Sequence, residues 1–205
     1  MGSFDIRELS YSQMTFVFRQ WILQDFAPDE IKDLSILRRQ KARHAYLPLG
    51  ALRDGEIIAY AFMALGRVQG EDCALLDYFA VRRDWRDRQV GSEFLRRLNN
   101  DHRWQLGRVF LEVEVPGEET APQARAVMER RHRFYEKNGM WDTGVRSRVF
   151  GVPYAVLSFP GDGKGGGISP GEAYAGLYRQ MLPREMYRSC IQVRMPGQKE
   201  RSPRG

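Results

Sequence analysis

Residues 85–98 read WRDRQVGSEFLRRL and directly follow the apolar run ALLDYFAV of residues 74–81. A charged stretch leads to one glycine, Gly91, and then an amphipathic helix begins. Phe94, Leu95, Leu98, His102 and Leu106 would line one side, with Glu93, Arg96, Arg97, Asn100 and Arg103 on the other. A helix start exposes unpaired N–H groups and a partial positive charge, which together favour an anion. Arginines placed beside it repel one another unless they are solvated or hold something negative. The stretch is therefore either a solvated strand-to-helix turn or a seat for phosphate, and its surroundings must decide.

The chain has 205 residues, 42% of them hydrophobic and 12% aromatic, which excludes a disordered polypeptide and suits one domain with a substantial core. The longest apolar runs, such as IIAYAFMALG, are too short to span a bilayer, and MGSFDIREL has no signal-peptide pattern. Cys73 and Cys190 have neither metal-ligand spacing nor a disulfide framework, and no metal is expected. A reducing cytoplasm fits these features. The net charge of +6 favours an anionic partner, although part of the excess lies in the tail PGQKERSPRG. No aromatic-basic motif accompanies it, so nucleic acid is the least supported partner.

Working outward, SFDIREL reads as a first strand. Ser12 would cap a helix over residues 13–26, and Pro28 would open a second helix running to about Arg43. AYLPLGALRDGEIIAYAFMALG reads as two strands about the turn Asp54-Gly55. CALLDYFAV is a third strand, buried on both faces if central, and the opening helix continues to about Leu106. VFLEVEV alternates strictly, residues 121–138 form a helix stopped at Asn138-Gly139, and VRSRVFGVPYAVLSF holds one or two closing strands. Strand-helix-strand order over residues 74–115 suggests parallel pairing there, while the hairpin is antiparallel. The fold class is mixed α/β, or α+β, with a mostly antiparallel central sheet flanked by helices. Three regions are expected: a main domain over 1–159, an appendage over 160–195 and a basic disordered tail over 196–205. The appendage would comprise the glycine-rich connector PGDGKGGGISPG, the short helix EAYAGLYRQML and a strand at SCIQV.

Two segments combine into a resemblance. The strand ending FAV, followed by WRDRQVGS at a helix start, resembles the acyl-coenzyme A loop of the GCN5-related N-acetyltransferase (GNAT) superfamily. That pattern is Arg or Gln, two residues, Gly, one residue, then Gly or Ala. Arg86 fills the first position and Gly91 the last, whereas Gln89 stands where the family usually has its first glycine. About 45 residues on, RFYEKNGM of residues 133–140 resembles the family's helix end, with a strand and a helix between. The likeness spans about residues 46–159.

The resemblance implies acetyl-CoA as co-substrate and an amine acceptor, either a small molecule or a peptide. Phe79 and Val81 would present backbone groups to the pantetheine arm. Arg86, Asp87, Arg88, Gln89, Val90, Gly91 and Ser92 would hold the pyrophosphate, with Arg88 either adding charge or simply solvated. Tyr135 matches the tyrosine that protonates the departing thiolate; its other reading is a packed helix tyrosine with its hydroxyl at the sheet edge. Glu112 occupies the strand position where some members place a general base. By alternation Glu112 and Glu114 share a face, where they would attract a cationic amine, form a solvated strand surface or pair with Arg131. Asp77, inside an apolar strand, is the rival base, since a buried carboxylate there must be paired or functional. Arg131 falls on the apolar stripe of its helix, where it either snorkels or meets a glutamate. PGEETAPQA lacks the asparagine many members use to contact pantetheine.

The expected function is N-acetyl transfer from acetyl-CoA by direct attack of the amine. A non-catalytic acyl-CoA sensor or interaction module of the same fold is the alternative. The appendage would cover the acceptor site or join a homodimer.

Overall fold

The computed structural model describes residues 3–104, 106–117, 120–159 and 167–198. Residues 160–166 of the expected connector and 199–205 of the expected tail lie outside the described residues. Eight strands take the order β1-β2-β3-β4-β5-β7-β6-β8 in a mixed α/β fold. The chain divides into two compact units. Unit 1 comprises residues 1–66 and 74–106, and unit 2 comprises residues 67–73 and 107–205.

In unit 1, β1 (Asp5–Glu8) pairs antiparallel with β2 (Tyr46–Arg53), and β2 with β3 (Glu56–Val68). Asp54 and Gly55 both have positive φ, 51° and 83°, as the expected two-residue hairpin turn requires. The first helix starts two residues earlier than expected. Ser10, not Ser12, is the cap of α1 (Tyr11–Val17), because Gln13 completes a reciprocal capping box with it. The helical path continues through a π-turn at Phe18–Ile22 into α2 (Leu23–Asp25). Pro28 opens only a 3₁₀ turn, Pro28–Glu30. The second long helix, α3 (Leu34–Ala42), begins at its own cap, Asp33, whose carboxylate accepts the Ser35 N–H at 2.6 Å.

β4 (Glu71–Val81) leads through a 3₁₀ turn at Arg83–Trp85 into α4 (Val90–Asn100). Val90, Gly91, Phe94, Leu95 and Leu98 of α4 are buried, as the periodicity required. The helix ends at Asn100 rather than near Leu106. Asn99, Asn100 and Asp101 all compete locally for backbone groups; the Asp101 carboxylate accepts the Arg103 N–H at 3.1 Å, and only a 3₁₀ turn, His102–Trp104, follows.

In unit 2, β5 (Arg108–Glu114) pairs antiparallel with β7 (Val152–Ser158), which in turn pairs with β6 (Trp141–Val149). The closing segment is thus two strands, turning at Phe150-Gly151 with φ of 48° and 89°. Between β5 and β6 runs α5 (Pro122–Lys137), opened by Pro122 and capped at Asn138 as expected. The C-terminal segment supplies α6 (Pro170–Met181), α7 (Arg184–Cys190) and β8 (Ile191–Arg194), with β8 antiparallel to β6. The helix α7 had no counterpart in the sequence reading. Ala173, Tyr174, Ala175, Gly176, Leu177 and Tyr178 of α6 are buried. A Cβ on Gly176 would lie 2.3 Å from a methyl of Val68, so only glycine admits this approach.

Candidate active site

The opening stretch forms a loop of unusual backbone. Asp87 and Gln89 both take left-handed conformations, each with φ of 59°, and Gln89 is the N-cap residue of α4. Arg86 before them is extended, with φ of −66° and ψ of 160°, so the chain turns sharply at Asp87 and again at Gln89 as it enters the helix. Gln89 thus holds a left-handed conformation that glycine would adopt without steric cost. Its side chain makes no capping hydrogen bond, so the N–H groups at the start of α4 are left to solvent or a ligand. Val90 and Gly91 are buried, while Arg86, Asp87, Arg88 and Gln89 are exposed.

The arginines divide their work. Arg86 turns back to the end of β4: its Nε donates to the Val81 carbonyl at 3.0 Å, and its guanidinium lies 3.4 Å from the Asp25 carboxylate. Arg88 and Arg53 each stack on the Trp85 ring, 5.2 and 5.0 Å from its centroid. Phe79 packs edge-on against Phe94 of α4, centroids 5.6 Å apart, which ties the strand end to the helix start.

Asp77 is paired. Its carboxylate accepts from Lys32 Nζ at 2.6 Å with the side chain only 6% exposed, and neighbouring Tyr78 accepts the Lys32 N–H at 2.8 Å. Burial, reinforced by the Asp77 charge, pushes the Tyr78 phenol above its ordinary range. The same two causes, burial first, raise Tyr46. This cluster holds the segment before α3 against β4, and its members act as neutral phenols around one ion pair.

In unit 2 the faces of β5 separate as alternation predicts. Phe110 and Glu112 face α6. The Phe110 ring meets Tyr174 edge-on, centroids 5.7 Å apart, and the Glu112 carboxylate accepts hydrogen bonds from Tyr174 and, at 2.6 Å, from Tyr178. Arg108 pairs with buried Glu71 at 2.8 Å. Tyr135 lies on the last turns of α5. Burial pushes its phenol up to about 12, and the charge of Arg131, one turn earlier, draws it back down. Arg131 itself is exposed. Glu112 and Tyr135 thus fall in unit 2, and the residues from Phe79 to Ser92 in unit 1.

The strand, the left-handed loop and the uncapped helix start coincide with a match over residues 14–140 to the model of the acetyltransferase (GNAT) family. The chain belongs to that family. Among solved structures of this fold, a putative GNAT acetyltransferase from Bacteroides thetaiotaomicron is 18% identical with a TM-score of 0.62, covering 86% of this chain and 95% of that one. The ribosomal-protein-S18-alanine N-acetyltransferase from Escherichia coli is 17% identical with a TM-score of 0.55, covering 81% and 99%. An aminoglycoside 6′-N-acetyltransferase complexed with coenzyme A is 14% identical with a TM-score of 0.51, covering 75% and 95%. At such identities the likeness is one of fold. No curated protein sequence matches the chain.

GNAT membership supports acyl-CoA-dependent acetyl transfer at the level of the family. The match stops at residue 140, so α6 and its two tyrosines lie beyond it. Tyr174 and Tyr178 carry no family motif in the sequence. Their i, i+4 spacing in an apolar helix was the available signal, because two phenols on one buried face need polar partners. No helix among the described residues is long and apolar enough to cross a membrane.

Proposed function

We propose that this GNAT-family chain is an N-acetyltransferase that takes acetyl-CoA and a small-molecule or peptide amine. The observation that carries the reading is the helix start at Gln89–Ser92. A left-handed cap residue, no side-chain cap and a buried glycine together leave backbone N–H groups for a pyrophosphate. The residues present fit coenzyme A, since little side-chain bulk stands at Gly91, and Arg88 adds positive charge nearby.

In this reading the end of β4, through the backbone of Phe79 and Val81, aligns the pantetheine arm and places an N–H at the thioester carbonyl. Approximation of two substrates and stabilisation of the oxyanion supply most of the rate. Glu112 takes the proton of the attacking amine, directly or through water, and Tyr135 gives one to the departing sulfur. A phenol near 12 remains protonated throughout the physiological range, and Arg131 makes it the stronger acid. Asp77, bound to Lys32, serves the fold rather than the proton transfer. The buried thiol of Cys73, pushed up to about 11 chiefly by desolvation, is inert, in keeping with a reducing cytoplasm.

A thermal-shift titration with coenzyme A tests the cofactor seat. Coenzyme A should raise the melting temperature of the native chain by mass action, and Gly91→Glu should abolish that rise in a protein that still folds. An undiminished shift in Gly91→Glu would place the pyrophosphate elsewhere. The acceptor class is tested with spermidine, an aminoglycoside and an alanine-initiated peptide. Each corresponds to the named acceptor of a GNAT-fold neighbour: the spermidine N-acetyltransferase chimera, the aminoglycoside enzyme and the S18-alanine enzyme.

A further inference from the structure

Glu112 lies on β5 opposite Val156 of β7, with its carboxylate turned toward α6. Tyr174 and Tyr178 are one helical turn apart, their rings 5.2 Å between centroids, and both hydroxyls converge on the same oxygen, Oε1. Besides Glu112 and the adjoining Tyr178 hydroxyl, Tyr174 meets the Ser147 hydroxyl of β6, at 2.9 Å. A phenol carries one proton. With that proton directed to Glu112, the Ser147 hydroxyl is the donor to Tyr174, and the chain runs Ser147 to Tyr174 to Glu112, joined there by Tyr178. Tyr174, Tyr178 and Ser147 are at most 6% exposed, so solvent does not compete for these bonds. The Glu112 charge in turn helps hold the Tyr174 phenol protonated.

We infer that Tyr174 and Tyr178, on a helix beyond the family-matched segment, are positioning residues that orient the Glu112 carboxylate and hold it ionised. The inference rests on the role of Glu112 as base proposed above. Two O–H donors into one carboxylate oxygen favour its charged form and fix its rotamer. By strand alternation and register, Arg108 and Glu114 on β5 and Tyr154 on β7, opposite Glu114, share this face of unit 2. Arg108 is engaged by Glu71. Both phenols of α6 donate to Glu112 itself. The C-terminal segment then becomes part of the proton-transfer apparatus, so that acceptor turnover depends on residues the rest of the family match does not include.

The test uses the full chain carrying ¹³Cδ-labelled glutamate, with the Glu112 signal identified by its loss in Glu112→Gln. Tyr178→Phe and Tyr174→Phe keep their rings and delete one donor each; if the fully buried Tyr174→Phe does not fold, Tyr178→Phe decides. Each deletion should raise the Glu112 titration midpoint by about one pH unit, the size of one hydrogen bond to a charged group. With acetyl-CoA and the best amine of the acceptor panel, the acidic limb of kcat/KM should move up equally. Activity of Tyr178→Phe should then fall about tenfold below the limb and be nearly normal above it. An unmoved Glu112 midpoint in Tyr178→Phe would overturn the inference. An acidic limb that survives in Glu112→Gln would instead overturn the base role itself.

Discussion

Arg131 precedes Tyr135 by one turn of α5, and its charge lowers the phenol's pKa against the burial that holds it at about 12. A nearby cation favours the tyrosinate, so Arg131 makes Tyr135 a better proton donor without deprotonating it at working pH. Tyr135→Phe should cut turnover by roughly 10²–10⁴-fold with acetyl-CoA affinity nearly unchanged. Arg131→Met should cost only a several-fold part of that loss. Steady-state kinetics with chemistry rate-limiting read both, and unimpaired turnover in Tyr135→Phe would remove the phenol from the mechanism.

Gln89 occupies a left-handed cap position at a steric cost of about 1–2 kcal/mol, against about 0.5–1 kcal/mol of chain entropy that glycine would lose. Gln89→Gly should therefore leave stability unchanged or raise it by up to about 1.5 kcal/mol. Its stabilisation by coenzyme A should equal that of the parent, because the backbone N–H groups are kept. Paired thermal melts with and without coenzyme A read both quantities. A weakened ligand response would show that the glutamine amide itself binds.

Glu93, in the first turn of α4, is held down to about 2 by hydrogen bonds from Arg96 and Arg97. Its folded pKa lies below the ordinary glutamate value of 4.5, so its stabilisation is present above 4.5 and is lost as pH falls through about 2. The carboxylate is partly solvated, which limits the effect. Glu93→Gln should cost about 0.5–1 kcal/mol at pH 7. The difference from the parent should close as pH approaches 2, as followed by urea unfolding at a series of pH values.

Truncation after Phe159 removes α6, with its buried Tyr174, Leu177 and Tyr178, and the β8 strand paired to β6. Each large buried side chain contributes roughly 1.5–3 kcal/mol, more than a marginally stable fold can lose several times over. The truncated chain should aggregate or lose its cooperative melt. A soluble truncation that still melts cooperatively would show that the C-terminal segment is dispensable to the core.

The fold was legible where one local signal acted alone. The Asp54-Gly55 turn, the buried stripe of α4 and the Asn138 stop all stand where periodicity and cap chemistry put them. Where two local signals competed, the choice turned on a third residue. Ser10 and Ser12 are both good caps, and only Gln13, three residues after Ser10, closes a box. The family's loop was readable through Arg86 and Gly91, but the left-handed state of Gln89 belongs to the folded backbone. Asp77 read as paired or functional, and Lys32, distant in sequence, decides for pairing. The tyrosines above Glu112 were hidden for the same reason, since they come from 62 and 66 residues away.

The most direct measurement of the central claim is amine-dependent release of free thiol from acetyl-CoA by the purified chain, run over a panel of polyamine, aminoglycoside and peptide acceptors. The account predicts release with at least one amine, strongly reduced in Tyr135→Phe and abolished with coenzyme A binding in Gly91→Glu. Tight coenzyme A binding with no amine-dependent thiol release across a broad panel would contradict it and leave an acyl-CoA sensor of the same fold.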